Sequence, residues 1–452
     1  MNKKLSLKGA YKMCRKRMII VCSVLITVSL LIFTGSAKAQ EKQKIYTIKS
    51  AIAEAITNSY SLKARKEQLN QATNIKNQAR SDLLPKFRLN YGYTRLNEAR
   101  TLNTPGAQVD ISTQNNFRLT GNLTQPLFTG FGLISTYKLA KLGIDQSEMN
   151  IELEKLDLAL RVKTSYYNIL LADAAIDVAT KSVESLESAA NVSRNFHKVG
   201  LVPINDVLQS EVDLANSVQT RTKTKNDARL ARAVFNTVLV RGINEPVELE
   251  KISDFDPQIG DFEDFRELAL SNRPEIKLID INLLQADQQI NLAKSKYWPE
   301  VAFTYNYIKE GDTLAVDGSA FHDRNAWEAL VSAQWTFFEW GKTINSQREK
   351  ESFKRELMEA KNTLTQNITL EVKQAVLDLA TAAENIPSTQ KAVEQGEENL
   401  RVNEERYKAQ VSTILDLLTA QALLVQARVN NISALYTHAL AKATLDRAIG
   451  VY

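Results

Sequence analysis

Cysteine is almost absent from this chain, and histidine is scarce. The two cysteines, Cys14 and Cys22, lie in the first 39 residues, so the rest of the chain has no disulfide, thiol nucleophile or thiolate metal site. The three histidines, His197, His322 and His438, stand in separate segments, whereas a metal or catalytic site needs converging ligands. No glycine-rich phosphate loop and no G-x-S-x-G motif occurs. The sequence therefore indicates no metal, no cofactor and no enzyme.

The first 39 residues have the features of a secretory signal peptide. Eight lysines and arginines occur there without any acidic residue, together with an apolar stretch at 18–33 and the A-x-A cleavage site Ala37-Lys38-Ala39. An uncleaved membrane anchor is the alternative. The whole chain holds 57 Lys and Arg against 52 Asp and Glu, so removal of the signal leaves a slight excess of acid. Since the basic charge belongs to the signal, we expect no nucleic-acid partner.

The remainder of the chain is an internal duplication. A shift of 214 positions aligns twelve identical residues, among them Ala55, Asn58, Lys63, Pro85, Tyr91 and Tyr93 with Ala269, Asn272, Lys277, Pro299, Tyr305 and Tyr307. A shift of 210 aligns Val162-Lys163 with Val372-Lys373. This period is far longer than that of a solenoid repeat, so each copy must contain several elements. We therefore divide the chain into a signal at 1–39, repeat 1 at 40–242, a linker at 243–262 and repeat 2 at 263–452.

Long helices dominate each repeat. Residues 133–195 contain no proline and one glycine, and a helix of about 60 residues is roughly 90 Å long. In repeat 2 the apolar residues step alternately by three and four, as in the seam of a coiled coil: Leu415, Leu418, Ala422, Val425, Val429, Ile432, Tyr436 and Ala439. We predict long helices at about 133–198 and 342–409, and return helices at about 204–241 and 413–449. A two-helix rod or tail fibre fits this seam equally well.

Segments with alternating apolar and polar residues lie between the helices. They predict strands at about 86–95 and 117–126 in repeat 1 and at about 300–308 and 326–338 in repeat 2. The polar segments 97–116 and 310–325 predict long loops. A soluble sandwich could bury such strands, but their length of about ten residues and their aromatic ends favour a membrane-spanning barrel. Because the smallest membrane barrels need about eight strands, several chains would have to combine.

Short motifs recur at the junctions of these elements: Leu83-Leu84-Pro85, Gln125-Pro126-Leu127-Phe128, Val199-Gly200-Leu201 and Trp340-Gly341. In their order and spacing, from about residue 48 to 450, they resemble the TolC family of outer-membrane efflux proteins. The resemblance implies a mixed, mainly α fold. Long antiparallel coiled-coil helices would form an α-barrel, and four strands per chain would form a twelve-stranded transmembrane β-barrel in a homotrimer.

The same resemblance implies a passive exit duct in the outer membrane, with its helical tunnel in the periplasm and no cofactor. Its partners would be a periplasmic adaptor protein, an inner-membrane pump and outer-membrane lipid. Type I protein secretion shares this architecture and stays open as an alternative. A secreted coiled-coil structural protein is a further alternative.

The resemblance also implies that the turns between long and return helices, here called the tips, contact the adaptor. The residues concerned are Val199, Gly200 and Leu201 in repeat 1 and Gln410 and Val411 in repeat 2. Gln410 stands where glycine is expected, so the two tips need not dock equally.

The resemblance implies a periplasmic gate beside the tips, at Asp206, Tyr407 and Asp416. Three Asp416 carboxylates around one axis would repel one another and attract cations. As an alternative, both aspartates could simply stabilise the N-terminus of a helix by their charge. Within the second long helix, Pro387 predicts a kink or a loosened turn.

Overall fold

The computed structural model describes residues 45–251 and 260–452, so the predicted signal peptide and the middle of the predicted linker lie outside the described residues. Two compact units are distinguished. In the smaller one, strand β1 (Ile45–Tyr46) pairs in parallel with the strand Glu248–Leu249, which is β6 in chain order.

The larger unit contains the two repeats. Repeat 1 consists of α1 (Ile48–Asn58), α2 (Tyr60–Ser81), β2 (Lys86–Arg95), β3 (Thr101–Thr104), β4 (Ala107–Asp110), β5 (Asn115–Thr129), α3 (Gly132–Lys198) and α4 (Ile204–Val238). Repeat 2 consists of α5 (Phe262–Asn272), α6 (Pro274–Lys294), β7 (Glu300–Gly311), β8 (Asn325–Gln334), α7 (Lys342–Lys408) and α8 (Ile414–Ala448). A shift of 210 carries α3 and α4 onto α7 and α8 residue for residue. The duplication and the mainly helical mixed fold are thereby confirmed.

The two longest helices, α3 and α7, have 67 residues each, which corresponds to about 100 Å. α3 packs along α4, α7 packs along α8, and α3 also contacts α2, α6 and α8. Of the helices within 45–251 and 260–452, none combines the length and the apolar character needed to cross a membrane.

The helix α7 runs through Pro387 without a break, and the kink or loosened turn at this residue stays a prediction. Packing against α8 continues on both sides of it. Ala382 is buried on one side, and on the other Gly396 lies so close to Leu424 that an added Cβ would come within 3.3 Å of its side chain. Contacts of this kind hold the helix together where one backbone hydrogen bond is missing.

The buried stripe of α8 differs from the predicted seam. Leu418 and Ala439 of that seam are buried, but Leu415 and Val429 are exposed. The stripe that is buried inside the chain consists of Ile414, Leu417, Leu418, Ala420, Gln421, Leu424, Ala434, His438, Ala439, Ala441, Ala443, Leu445 and Ala448. It contains two polar residues, which a search for apolar spacing passes over, and it leaves part of the apolar seam available on the outside of the chain.

Four strands form an antiparallel sheet in the order β2-β5-β7-β8. The register places most of the large apolar residues of the four strands on one face, with Ile308 and Leu330 on the other, and in β2 and β8 the side chains of the apolar face are exposed. On the polar face, the Asn122 amide donates to Asn306, whose amide donates to Glu328, both at 2.6 Å. β2 and β8 are the two edges of the sheet, and β8 ends at Gln334, before the predicted end at 338.

The predicted loop 97–116 is not irregular throughout, because it contains the hairpin of β3 and β4. Each of these strands has only four residues, so the alternation of apolar and polar side chains is too short to stand out in a segment that is mostly polar. The other predicted loop turns back toward the first strand, since the Tyr91 hydroxyl donates to the Leu314 carbonyl at 2.9 Å and Val316 is buried.

Left-handed backbone recurs at equivalent positions of the two repeats. Each pair below is related by the shift of 210, and both members have positive φ. One member of each pair is glycine and the other is not: Gly130 and Trp340, Phe131 and Gly341, Gly200 and Gln410, Val240 and Gly450. The duplication has therefore kept the backbone conformation at positions where one copy no longer has the residue that adopts it most easily.

Candidate functional site

The tip of repeat 1 is a compact turn that ends α3. Gly200 has φ 77°, its N–H donates to the His197 carbonyl, and the N–H of Leu201 donates to the Phe196 carbonyl, both at 2.9 Å. This pair of bonds around a left-handed residue is the Schellman motif, which satisfies carbonyls left over at a helix end.

The tip of repeat 2 has the same backbone geometry without the glycine. Gln410 has φ 61°, its N–H donates to Tyr407, and the N–H of Val411 donates to Arg406, both at 3.0 Å. The donors and acceptors of these two hydrogen bonds lie 210 positions after those of the repeat 1 tip. Gln410 in place of glycine therefore adds a side chain and backbone strain to this turn, but the course of the backbone is the same in both tips.

Both tips expose apolar side chains. Val199 and Leu201 are 68% and 53% exposed, and Val411 is 65% exposed. Gln410 is exposed beside Val411. The predicted tip residues thus lie at the surface of the chain, where a partner could reach them.

The predicted gate aspartates differ in their surroundings. Asp416 and Thr413 form a capping box at the start of α8: the Thr413 N–H and hydroxyl donate to the carboxylate at 3.0 and 2.8 Å, and the Asp416 N–H donates to the hydroxyl at 3.3 Å. The hydrogen bonds from the Thr413 backbone and side chain hold the pKa of Asp416 below its ordinary value. In repeat 1 the cap position is Pro203, which offers no side-chain bond, and Asp206 is half-buried.

Tyr407 lies inside the chain. It is 3% exposed and belongs to a cluster with Leu186, Ile414, Leu417 and Leu418, and its ring lies 5.8 Å from that of Phe196. Burial raises the pKa of Tyr407, and the negative charge of Asp206 raises it further. The charge of Asp206 thus acts on Tyr407, and the structure places the tyrosine where α3, α7 and α8 of one chain meet.

Sequence reasoning did not find the partners of Tyr407. The residues of the cluster around it come from four helices. In the sequence, the only feature that indicated their burial was the spacing of apolar residues by three and four. Nearby, the Ser185 hydroxyl donates to the buried amide oxygen of Gln421 at 2.9 Å. Nowhere in 45–251 or 260–452 are three or more His, Cys, Asp or Glu side chains grouped so that they could hold a metal ion.

A second set of charges, which the sequence analysis also missed, joins the two repeats away from the tips. Arg273 is 4% exposed and binds Glu275 at 2.7 Å and Glu371 at 2.5 Å. Arg447 binds Glu275 at 2.9 Å and Asp157 of α3 at 3.0 Å. Burial alone would raise the pKa of Glu275, but hydrogen bonding and charge from Arg273 and Arg447 outweigh it and hold the pKa at about 2.

The sequence model of a family described as outer membrane efflux protein matches residues 51–237 and 265–451, one stretch in each repeat. The chain belongs to this family. It is accordingly an outer-membrane efflux channel and not an enzyme, and its helical part forms a tunnel on the periplasmic side.

Individual relatives agree with this assignment. Outer membrane protein TolC of Escherichia coli K12 is 22% identical over 445 residues, which cover 94% of this chain and 85% of TolC. Toxin and drug export protein A of Aggregatibacter actinomycetemcomitans is 22% identical, over 85% of this chain and 83% of that protein. The crystal structure of the Campylobacter jejuni CmeC outer membrane channel superposes with a TM-score of 0.76 at 19% identity, covering 89% of this chain and 85% of CmeC. The last comparison shows the shared fold.

Proposed function

We propose that three copies of this chain form an exit duct that receives substrates from an inner-membrane pump through a periplasmic adaptor. The observation that supports it best is the sheet, whose apolar face is uncovered and whose two edge strands have unpaired sides. Four strands with an exposed apolar face suit a larger, closed β-barrel in lipid, which requires further copies. The 67-residue helices would then extend the duct into the periplasm.

The tips are our candidate for adaptor docking. Val199, Leu201 and Val411 provide exposed apolar groups on turns of identical backbone, and Gly200 and Gln410 set the local shape. We expect both tips to dock, with repeat 1 offering two large apolar side chains and repeat 2 one. An alanine at Leu201 should therefore reduce adaptor binding more than an alanine at Val411.

The gate is proposed to consist of Asp416 and Asp206, with Tyr407 in a supporting role. Asp416 is exposed and ionised, so its three copies could meet near the axis. Tyr407 is buried within its own chain, and we propose that it fixes the α7 tip on α3 instead of contacting a neighbouring chain. Opening would require a displacement of the tips, driven by contacts that the adaptor makes better with the open state.

The first test is the native mass of detergent-extracted protein from the outer-membrane fraction. A trimer that needs detergent agrees with the proposal, whereas a soluble monomer or dimer would contradict it and favour a secreted coiled-coil protein. In planar bilayers, Asp416→Asn should weaken block of the pore by divalent cations, with Asp227→Asn on exposed α4 as a control. Unchanged block would remove Asp416 from the gate.

Protein secretion is the second candidate for the cargo. One relative is named a toxin and drug export protein, and the same duct could serve either transport. Deleting the gene of the inner-membrane pump that works with this duct, and measuring drug sensitivity and secreted protein separately, would distinguish the two.

A further inference from the structure

The long helix α3 has one glycine among residues 133–195, and packing does not account for it. Outside its own stretch of helix, an added Cβ on Gly143 would meet no atom of the described residues within 4 Å. Gly396 of α7 is different, because an added Cβ there would press against Leu424. Glycine destabilises the interior of a helix relative to alanine. Gly143 therefore marks a place where α3 leaves space at its surface instead of a close contact.

The space beside Gly143 is a groove of about 420 Å³ between α2 and α3. Its apolar lining consists of Ala72, Ile75, Ala79, Leu139 and Ala140. The remaining lining side chains are three amides and two hydroxyl groups, so none of the side chains that line this groove is charged. A largely apolar concave surface with a few uncharged polar groups suits a small uncharged molecule.

Repeat 2 has an aromatic ring at the equivalent position. The shift of 210 that carries α3 onto α7 places Phe353 where repeat 1 has Gly143. The packing is equivalent as well, since α6 packs on α7 as α2 packs on α3. The two helix pairs therefore differ by a phenyl group, which is covalently attached to the helix in repeat 2, whereas the same position is open in repeat 1. The duplication thus indicates the size and the chemistry of a group that this place accommodates.

The side chains around this position are also more apolar in repeat 1. Leu139-Ala140 corresponds to Glu349-Lys350, whose two side chains form an ion pair at 3.0 Å. On the facing helix, the shift of 214 relates Ile75 to Gln289. A ring bound in repeat 1 would exchange contacts with water for contacts with carbon, which is favourable. A charged ligand would lose hydration there without gaining an opposite charge.

We infer that the groove at Gly143 binds the aromatic ring of a small uncharged molecule. The ring would lie beside Gly143 and contact Ile75 and Leu139, and the amide of Gln71 in the lining can form a hydrogen bond with a hydroxyl or carbonyl substituent. The inference goes beyond the proposed duct, because α2 and α3 belong to one chain and form the groove without further copies.

A second copy of the chain is the competing occupant of the groove. α2 packs mainly on α3, and Ile75 is 55% exposed in the single chain. A neighbouring copy that covered this side of α2 would exclude small molecules. The experiment is therefore made on the assembled protein, and it measures access to the groove as well as preference for an aromatic group.

Reversible disulfide exchange at a single cysteine tests the site, because the chain beyond residue 39 has no cysteine of its own. Ser147→Cys places a thiol one helical turn, about 6 Å, from Gly143, and Leu357→Cys is the equivalent variant in repeat 2. The detergent-extracted protein is equilibrated with equal amounts of 2-phenylethanethiol and ethanethiol, and the intact mass gives the ratio of the two adducts. Since the two positions are equivalent, detergent affects both ratios alike.

In Ser147→Cys the phenylethyl adduct should exceed the ethyl adduct about tenfold, the factor expected from burying about half of a phenyl ring. In Leu357→Cys, where Phe353 stands at the equivalent position, the two adducts should form nearly equally. Adding Gly143→Phe to Ser147→Cys should remove the preference. An equal preference in Ser147→Cys and Leu357→Cys, or one that survives Gly143→Phe, would overturn the site.

A second variant decides the matter if Gly143→Phe fails to assemble. Leu139→Glu with Ala140→Lys gives repeat 1 the side chains that repeat 2 already has in an equivalent helix, so this double variant should fold. In the Ser147→Cys background it should reduce the preference for the phenylethyl adduct several-fold. A preference that this double variant leaves unchanged would also overturn the site.

Access to the thiol separates the ligand site from the assembly. A thiol at position 147 that is modified in dissociated chains, but not in a protein of trimeric native mass, would show that another copy covers the groove. That result overturns the ligand site and leaves the proposed duct standing. A monomeric native mass contradicts the duct, whereas the ratio of adducts still decides the groove.

Discussion

Replacing Gln410 by glycine should stabilise the tip of repeat 2. Gln410 has φ 61° in the turn that Gly200 makes with φ 77° in repeat 1. A side chain in this region costs about 1–2 kcal/mol, and the greater freedom of glycine in the unfolded chain takes back about 0.4–1 kcal/mol. The net gain is therefore about 0.5–1 kcal/mol. It corresponds to roughly a 2–5-fold shift in the equilibrium between the folded turn and its locally unfolded state.

Hydrogen exchange measures this local unfolding of the turn, and it can be done in the absence of the adaptor. The Val411 N–H is bonded to the Arg406 carbonyl, so its exchange should slow by that factor in Gln410→Gly. The converse variant, Gly200→Gln, should speed exchange of the Leu201 N–H by a similar factor, because no atom lies within 4 Å of the added Cβ and only the backbone strain changes. Unchanged exchange in both variants would refute the argument from strain.

Three further perturbations test the packing and charges of the helices. Arg273→Met should destabilise the chain by about 1–3 kcal/mol, because Glu371 loses this partner and the half-buried Glu275 keeps only Arg447. The folded pKa of Glu275 is about 2 against an ordinary 4.5, so the stability that its charge contributes is complete above pH 4.5 and is lost as pH falls toward 2. This acid-induced fall in the unfolding midpoint should therefore be smaller in the variant. Tyr407→Ala should cost about 3–5 kcal/mol in denaturant unfolding, whereas an equal cost for Tyr407→Phe would show that the hydroxyl, not the packing, matters. Thr413→Ala should raise the pKa of Asp416, seen as a higher pH midpoint for cation block in bilayers; an unmoved midpoint would mean that the Thr413 side chain does not set it.

The order and type of the elements could be predicted because each is long and strongly periodic. Which element pairs with or packs against which could not be predicted. Alternation continues through Trp335 and Phe337, which is why a strand to 338 was predicted, yet a strand is formed only where another strand lies beside it, and in the single chain that ends at Gln334. Likewise, the apolar seam of α8 was found from spacing, whereas the stripe buried inside the chain includes Gln421 and His438.

The candidate site was predictable to a similar degree. The turn at Gly200 was visible from its glycine, and the equivalent turn at Gln410 only from the duplication. Tyr407 was assigned to the periplasmic gate because of the family resemblance. It is buried not only by α8, which follows it directly in the chain, but also by Leu186 and Phe196 of α3, about 200 residues away, and no local pattern predicts this long-range contact.

The two unpaired edges of the sheet also govern the order in which the channel can be made. An unpaired backbone group in the hydrocarbon of a membrane costs several kcal/mol, and β2 and β8 each present a row of them. A lone chain is consequently a poor candidate for insertion and, with exposed apolar strands, prone to aggregate in water. Association must then precede or accompany insertion, so the yield of channel should rise steeply with the rate of synthesis, and each chain would depend on its neighbours before it could span the membrane at all.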